Sequence, residues 1–544
     1  MSLNGAEALL KALRSMGVER IFASPGSDWA PLWETLASDS FWGSRYISSR
    51  HEETAMAMAL GYAKATGKLP AVMVHTTVGA LHTTMIARAA LHERIPMVIL
   101  AGEVIGFAEP PSPKVGRQWL RLLTDVGGPA RLMEGCVKWS FGLNVPTLLP
   151  QTIQRACQLA ASAPRGPVFV SVPTEYLVAE VAAEAPPAAL PVLPAVGESA
   201  LLHLKEMLSA AKNPVIVTEE AGRDPAAVPA LVALAEALDA PVYEAWQPYY
   251  ANFPRSHRLY GGMIVDELPP EFRNADAVLL VESVLPWHPP SSIADKKVLV
   301  LGEEPLHARL PFWGFRADVV ATGEVTPALL SLAASVTKRA SSKNLKKTKS
   351  EVQAGQVIDT AWAAHELNAV LPDDVVVVNE TITHRLDLHH QLDRLQPGRF
   401  FEASYGGLGV GLGLALGAKH ADPSRTVVCT IGDGAFHYNP VVASLGAAQE
   451  HGLPILVVLF DNAGYHSQKR DVANYYPKGK AVQAGKVIGT PIAPAPDYVK
   501  LAEAYGGWGE KVDRPGELRA AFRRGLEQVA HGRLALIDVV LKPI

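Results

Sequence analysis

Runs in which every position is apolar, rather than every second one, mark strands covered on both faces, and such strands belong to parallel sheets with helices on either side. The chain carries three sets of these runs. The first is RIFASPG (20–26), PAVMVHTT (70–77), IPMVILAGE (95–103) and GPVFVSVP (166–173). The second is NPVIVTEE (213–220), APVYEAW (240–246), ADAVLLVES (275–283) and KKVLVLGE (296–303). The third is DDVVVVNE (373–380), RTVVCTIGDG (425–434), LPILVVLFDN (453–462) and LALIDVVLK (534–542). Stretches of helical periodicity separate the runs, which predicts an α/β chain of three doubly wound parallel-sheet domains.

Two breaks in composition divide the sets. Residues 336–355, VTKRASSKNLKKTKSEVQAG, are rich in lysine and serine. That is the composition of a solvated interdomain linker, with a nucleic-acid-binding arm as the competing reading. A softer break is the Ala/Pro-rich stretch 179–197. Domains are therefore expected at 1–180, 190–335 and 356–544, with 336–355 as the linker; the first and third are alike in length and pattern. A chain of 544 residues has room for three such cores.

With 48% apolar and 19% charged residues and a net charge of −4, the chain has the composition of a soluble globular protein and no electrostatic footprint for nucleic acid or an anionic membrane. The amino-terminal MSLNGAEALLKALRSMGV reads as an amphipathic helix without an apolar signal core, so a cytoplasmic enzyme is expected. Cys136, Cys157 and Cys429 show neither paired nor metal-ligand spacing and read as reduced core residues.

Chemistry enters at the carboxyl ends of two third-set strands. Gly432-Asp433-Gly434 closes one and Asp461-Asn462 the next, with 26 residues between. A hard divalent cation such as Mg2+ takes oxygen ligands in near-octahedral geometry and keeps phosphate oxygens among them. Asp433 and Asn462 can supply two. The glycines flanking Asp433 let a diphosphate approach bare backbone, at the end of the sheet where open α/β folds bind ligands. A capping Asp in an ordinary strand-turn-helix is the alternative, and the strand-ending Asn462 argues against it.

The segment resembles the thiamine-diphosphate (ThDP) motif, GDG followed after a helix and a strand by Asn-Asn, with Asp461 in place of the first Asn. That likeness assigns Asp433, the Asn462 side chain and the Gly464 carbonyl to Mg2+, and sets Gly432, Gly434, Ala435 and Tyr465 beside the cofactor. Likewise Arg50-His51-Glu52-Glu53-Thr54-Ala55, followed by MAMALGYAKATGK, resembles the family segment whose first Glu hydrogen-bonds N1' of the aminopyrimidine. The match selects Glu52. Tyr405 to Gly411 resembles the segment that bends the cofactor, with Leu408 as the wedge and the Gly406 carbonyl accepting from the 4'-amino group. Gly409 and Gly411 read as close helix–strand packing, and Thr381 and Thr383, ending a strand, can bond the diphosphate. The likeness covers nearly the whole chain and implies pyrimidine-binding, central and diphosphate-binding domains, as in the acetolactate synthase and pyruvate decarboxylase branch.

Within that branch Ser27, His75 and His288 match positions held by a serine and two histidines in the benzoylformate decarboxylases, where the serine binds the substrate carboxylate and the histidines relay protons. The resemblance thus implies a 2-oxoacid decarboxylase with carboligase side activity acting on a small-molecule 2-oxoacid. GDGAFHYN and VHTTVGALH depart from that pattern, and an acetolactate-synthase-like transferase is the alternative. The second set lacks the glycine-rich turn that flavin-binding acetolactate synthases carry after its first strand, so FAD is not expected. Beyond Asn462, the residues Tyr465, His466, Gln468 and Lys469 make a polar, basic wall, read either as an exposed lid or as a pocket for a second anionic group. Glu52 and Asp433 are 381 residues apart, and the resemblance implies that they meet across the interface of a homodimer or homotetramer. A binding protein with a dead site is least favoured, because Glu52, Asp433 and Asn462 are all present.

Overall fold

The apolar runs form the inner strands of three parallel sheets in the computed structural model, which describes residues 2–103, 127–182, 188–265, 267–310, 315–345, 352–403 and 407–542. In the first sheet Ile21–Ser24, Ala71–Val74, Met97–Glu103 and Pro167–Pro173 lie between the edge strands Tyr46–Ser48 and Trp139–Gly142. In the second, Val242–Glu244, Pro214–Thr218, Ala277–Val281 and Lys297–Gly302 lie between Tyr260–Met263 and Val319–Thr322. In the third, Val376–Glu380, Val427–Gly432, Leu456–Asp461 and Ala535–Val540 lie between Phe400–Glu402 and Trp508–Val512. Counting strands in chain order within each sheet, the first and third share the spatial order 2-1-3-4-6-5, whereas the central sheet runs 3-2-1-4-5-6. A short antiparallel pair, Ser2–Asn4 with Glu180–Ala182, ties the two ends of the first domain together.

Helices cover both faces, and one crossing fixes the first domain against the third. The helix Glu52–Thr66 is nearly all Ala, Gly and Met on its inner positions and packs on Gly411–Ala421. A Cβ on Gly61 would stand 2.1 Å from the Leu414 carbonyl oxygen, and one on Gly417 would stand 2.0 Å from that of Met58. Only glycine lets the backbones approach this closely.

The central domain is joined by buried charge. Arg94 pairs with Glu220 and, at 2.6 Å, with Glu282, while Arg223 reaches Glu282 at 2.9 Å and Arg165 reaches Glu303 at 3.1 Å. Lys64 pairs with Glu93 and donates to the Glu402 carbonyl at 3.1 Å, so one ammonium links the first domain to the third.

The Lys/Ser-rich stretch is not a free tether over its first ten residues. Arg339 donates to the Lys212 carbonyl at 2.8 Å, and Asp239 accepts from the amides of Ser342 and Lys343 at 3.0 and 3.1 Å. Composition reads the lysines as solvated, but the backbone beneath them is docked on the central domain. Among the described residues no helix is long and apolar enough to cross a membrane. Cys157 and Cys429 are buried, Cys136 is half-buried, and all three are free thiols.

Candidate active site

Two neighbouring strands of the third sheet deliver the metal motif. Val427–Gly432 and Leu456–Asp461 pair in parallel with Gly432 opposite Phe460, which sets Asp433 and Asn462 side by side at the carboxyl edge. Asp433 Oδ1 accepts from the Gly434 amide at 2.8 Å and Oδ2 from the Gly464 amide at 2.9 Å; Asn462 Oδ1 accepts from Gly464 at 3.2 Å. Ala463 adopts a left-handed φ of 58°, which turns the chain back so that Gly464 reaches both side chains. A Cβ on Gly464 would lie 2.8 Å from the Thr490 carbonyl oxygen, and nothing stands within 4 Å of one on Gly432, leaving open space beside Asp433.

These residues line one pocket. Gly432, Asp433, Gly434 and Ala435 form one side, and Asn462, Gly464 and Tyr465 another. Thr383 and Leu408 close it. The expected Thr381 is not part of it: its side chain is fully buried and its hydroxyl donates to Asn379 Oδ1 at 2.7 Å, so only the second strand-ending threonine faces the pocket. Gly406 lies outside the described residues. His466, Ser467 and Gln468, at the start of the helix His466–Tyr475, complete the wall and present free backbone amides to an anion.

The Leu408 turn is held from below by Glu380. This fully buried carboxylate accepts from the amides of Gly409, Val410 and Gly411 at 2.8, 2.9 and 3.0 Å and from Asn439 Nδ2 at 2.8 Å. Gly409 has a φ of 102°, and a Cβ on Gly411 would press on the Glu380 carboxylate at 2.8 Å. The two glycines therefore serve a backbone turn around an acid rather than helix–strand packing.

Electrostatically the site calls for a cation. Burial, against the pull of the Gly434 and Gly464 amides, raises Asp433 to about 7, and the charge of Asp461 adds to this. Burial also raises Asp538 to about 6, again with Asp461 contributing. Three carboxylates thus crowd the strand ends, and only Lys511, 3.4 Å from Asp538, offsets them among the ion pairs of the described residues. Each Asp433 oxygen accepts one amide and has lone pairs to spare. The donor set is hard oxygen throughout, which suits Mg2+ and not a soft metal.

His384 orients the amide ligand. Burial lowers its pKa to about 4, so the ring is neutral. Its Nε2 accepts from Asn462 Nδ2 at 3.1 Å, which leaves Nδ1–H to donate to Thr360 Oγ1 at 2.7 Å. The Asn462 amide is thereby fixed with its oxygen toward Gly464.

In the first domain Glu52 opens its helix, with His51 capping: His51 Nδ1 accepts from the Glu53 amide at 3.2 Å. A Cβ on Gly79 would stand 3.3 Å from Glu52 Oε1, so the carboxylate lies on the first turn of the helix Thr76–His92. His75 caps that same helix and its Nδ1 meets Asp28 Oδ1 at 2.5 Å. Ser27 and Asp28 follow Ile21–Ser24, His75 follows Ala71–Val74, and Ser24 pairs with Val74, so the sheet register brings Ser27 and His75 together. Gly26 has no room for a Cβ against the His75 ring, and Gly102 has none against the Asp28 carboxylate. His288, by contrast, is exposed on a central-domain loop, on the wall of a separate cavity of about 830 Å3. Among the described residues, none of those around Asp433 comes from the first domain.

Asp28, Glu380, Asn439 and His384 were not singled out by the sequence. Their signal was faint: acids, an asparagine and a histidine beside motif residues, whose partners described above lie 24 to 78 positions away.

Thiamine pyrophosphate enzyme models match the chain over three stretches: the N-terminal TPP binding domain at residues 3–110, the central domain at 201–305 and the C-terminal TPP binding domain at 383–539. The chain is 27% identical to acetolactate synthase isozyme 3 large subunit of Escherichia coli, covering 99% of this chain and 95% of that one. It is 26% identical to benzoylformate decarboxylase of Pseudomonas aeruginosa, covering 99% and 98%. Among solved structures it resembles benzoylformate decarboxylase from Polynucleobacter necessarius, with a TM-score of 0.86 at 21% identity over 99% of both chains. It also resembles the thiamine diphosphate-dependent 4-hydroxybenzoylformate decarboxylase of Rhodococcus jostii RHA1, with a TM-score of 0.83 at 26% identity over 99% of both chains.

Proposed function

Because the chain belongs to the thiamine pyrophosphate enzymes, we propose that it is a ThDP- and Mg2+-dependent 2-oxoacid decarboxylase of the benzoylformate decarboxylase type, with aldehyde ligation as a side activity. The observation that carries this is the Asp28–His75 pair beside Ser27, at 2.5 Å. When bound, ThDP supplies the carbon that adds to the 2-oxo group and holds the electron pair left as CO2 departs. Asp433, Asn462 and Gly464 would hold Mg2+, and Gly432 to Ala435, Thr383 and the amides at His466 and Ser467 the diphosphate. Leu408, braced by Glu380, props the cofactor. Glu52 would share a proton with the pyrimidine end of the cofactor.

The remaining steps are the chain's own. The Ser27 hydroxyl can donate to the substrate carboxylate. With Nδ1–H donating to Asp28, the His75 ring can give and take through Nε2 the proton that frees an aldehyde. The Asp28 carboxylate, almost fully buried, fixes the ring. His288 is the second candidate proton carrier.

A transferase of the acetolactate synthase kind hands the acyl group to a second 2-oxoacid and needs no such donor; the 27% identical synthase supports that second reading. A panel of 2-oxoacids with ThDP and Mg2+, scored for CO2 and for products by mass spectrometry, separates the two. His75→Ala should lower aldehyde release about 100-fold or more while sparing exchange of the ThDP C2 proton. Acetolactate formed from pyruvate faster than aldehyde, and unaffected by the substitution, would establish the transferase instead.

A further inference from the structure

Among the described residues Arg385 is a buried cation with no anion in contact. It opens the helix Arg385–Gln391 directly after Thr383 and His384, both of which line the Asp433 pocket. The residue is 2% exposed and its Nε has no hydrogen-bond partner. Among the described residues its guanidinium forms no ion pair, and its close contact is a stack on the Trp246 ring, 4.1 Å from the centroid. Glu402 attracts it without touching it; one Glu402 oxygen is taken by Asn379 at 2.9 Å and the other has no partner. Folds rarely bury a guanidinium in this state unless something else brings the opposite charge.

Beyond Glu402, the pocket side of Arg385 carries further positive charge. The charge of Arg470 bears on Arg385, and those of Arg470 and Lys469 bear on His466. His466 lines the Asp433 pocket, and its Nδ1 is buried without a partner. The acid on the same helix, Asp471, meets Arg470 only at 3.8 Å and on the exposed side. Trp246, on the far side of Arg385, forms part of the wall of the 830 Å3 cavity that also holds His288. Arg385 itself lines neither space, but its chain neighbours Thr383 and His384 line the one and its contact Trp246 lines the other. Its Cζ lies over the Trp246 ring, and a guanidinium held there keeps a planar fork for bidentate capture of a carboxylate or similar acid.

We propose that Arg385, backed by His466, Lys469 and Arg470, binds a second anionic group at the far end of the substrate, so that the 2-oxoacid this enzyme takes is a diacid. This rests on the 2-oxoacid reading above. The 2-oxo carboxylate leaves as CO2, whereas the distal acid stays in its pair with Arg385 throughout, so it holds the substrate without being consumed.

The test pairs diacids with monoacids of equal length on the ThDP- and Mg2+-loaded enzyme: 2-oxobutanedioate through 2-oxoheptanedioate against the corresponding 2-oxoalkanoates. At one length or more, kcat/KM for the diacid should exceed that for its monoacid by about 10- to 100-fold, the range of a charged hydrogen-bonded pair. Arg385→Gln should erase that ratio and Arg385→Lys keep part of it. If Arg385→Gln does not fold, Arg470→Gln, on a half-exposed side chain, should lower the same ratio severalfold. Monoacids preferred at every length, or a ratio unmoved by these substitutions, would overturn the proposal. Calorimetry with the same diacids reads the anion site without turnover. Binding by the wild type that Arg385→Gln abolishes, with no CO2 released, would sink the decarboxylase reading and keep the anion site; no diacid binding by the wild type would sink the anion site itself.

Discussion

Glu52 is a single carboxylate whose place is set by its neighbours: the helix start behind it and Gly79 in front. Glutamine at this position keeps the shape and a hydrogen bond but cannot share a proton with a ring nitrogen. Glu52→Gln should therefore cut turnover by about 10^2- to 10^4-fold, roughly 3 to 5 kcal/mol of barrier. The cofactor should still bind, since Asp433 and Asn462 are untouched. Measuring turnover beside ThDP binding by fluorescence quenching checks both halves, and near-normal turnover would remove Glu52 from the role. Residues of this kind were legible because each sits in a contiguous motif. Asp28, Glu380 and His384 were not, because what makes them matter is a partner on another element. A buried acid after four valines says nothing of three amides 29 to 31 positions later.

At the scale of elements, the strands that the sequence announced are the inner ones of the three parallel sheets, and the six of those sheets that it did not are their edges. An inner strand is buried on both faces and reads as an unbroken apolar run. An edge strand such as Trp508–Val512 or Trp139–Gly142 keeps half-exposed positions and polar residues, so its run is broken and short. The helix crossing was equally silent, since glycine and alanine advertise no period. At the end of that crossing His420 accepts from Arg20 Nε at 3.1 Å and lies against Phe22. Burial, with the charge of Arg20 adding to it, lowers its pKa to about 4. The unfolded chain takes up this proton near 6.5, so His420 costs nothing above that pH and destabilises the fold progressively as pH falls toward 4. Buried Glu219, Glu402 and Asp433, raised to about 7, act in the opposite sense between about 4.5 and 7, so a difference must be read rather than a total. His420→Gln, compared with wild type in denaturant titrations, should lose about 1 to 2 kcal/mol of its deficit between pH 8 and pH 5, allowing for partial exposure. A gap that does not change with pH would mean that His420 is not held neutral.

For the molecule as a whole, one chain leaves the two ends of the cofactor site unjoined. Among the described residues, the Asp433 pocket is lined by the third domain alone. Beside Glu52, Val78 and Leu81 are each 50% exposed, and beside the third-domain site Tyr438 and Val442 are 55% and 62% exposed. Apolar side chains this open, next to half-built sites, suit a partner copy across a two-fold axis. Mixing Glu52→Gln subunits with Asp433→Ala subunits should then restore part of the activity, because a hybrid dimer holds one site free of both lesions. Heterodimers without activity, or an active monomer in solution, would remove the shared site.

The glycine crossing between Glu52–Thr66 and Gly411–Ala421 also decides where motion can occur. Backbone pressed on backbone has no rotamers to change, so the seam has no soft coordinate along which the first and third domains could hinge. The two move as one rigid body, carrying Glu52 and the Leu408 turn with them. Compliance lies instead in His466–Tyr475 and Lys480–Gln483, helices that bury no side chain and so have the least to lose on opening.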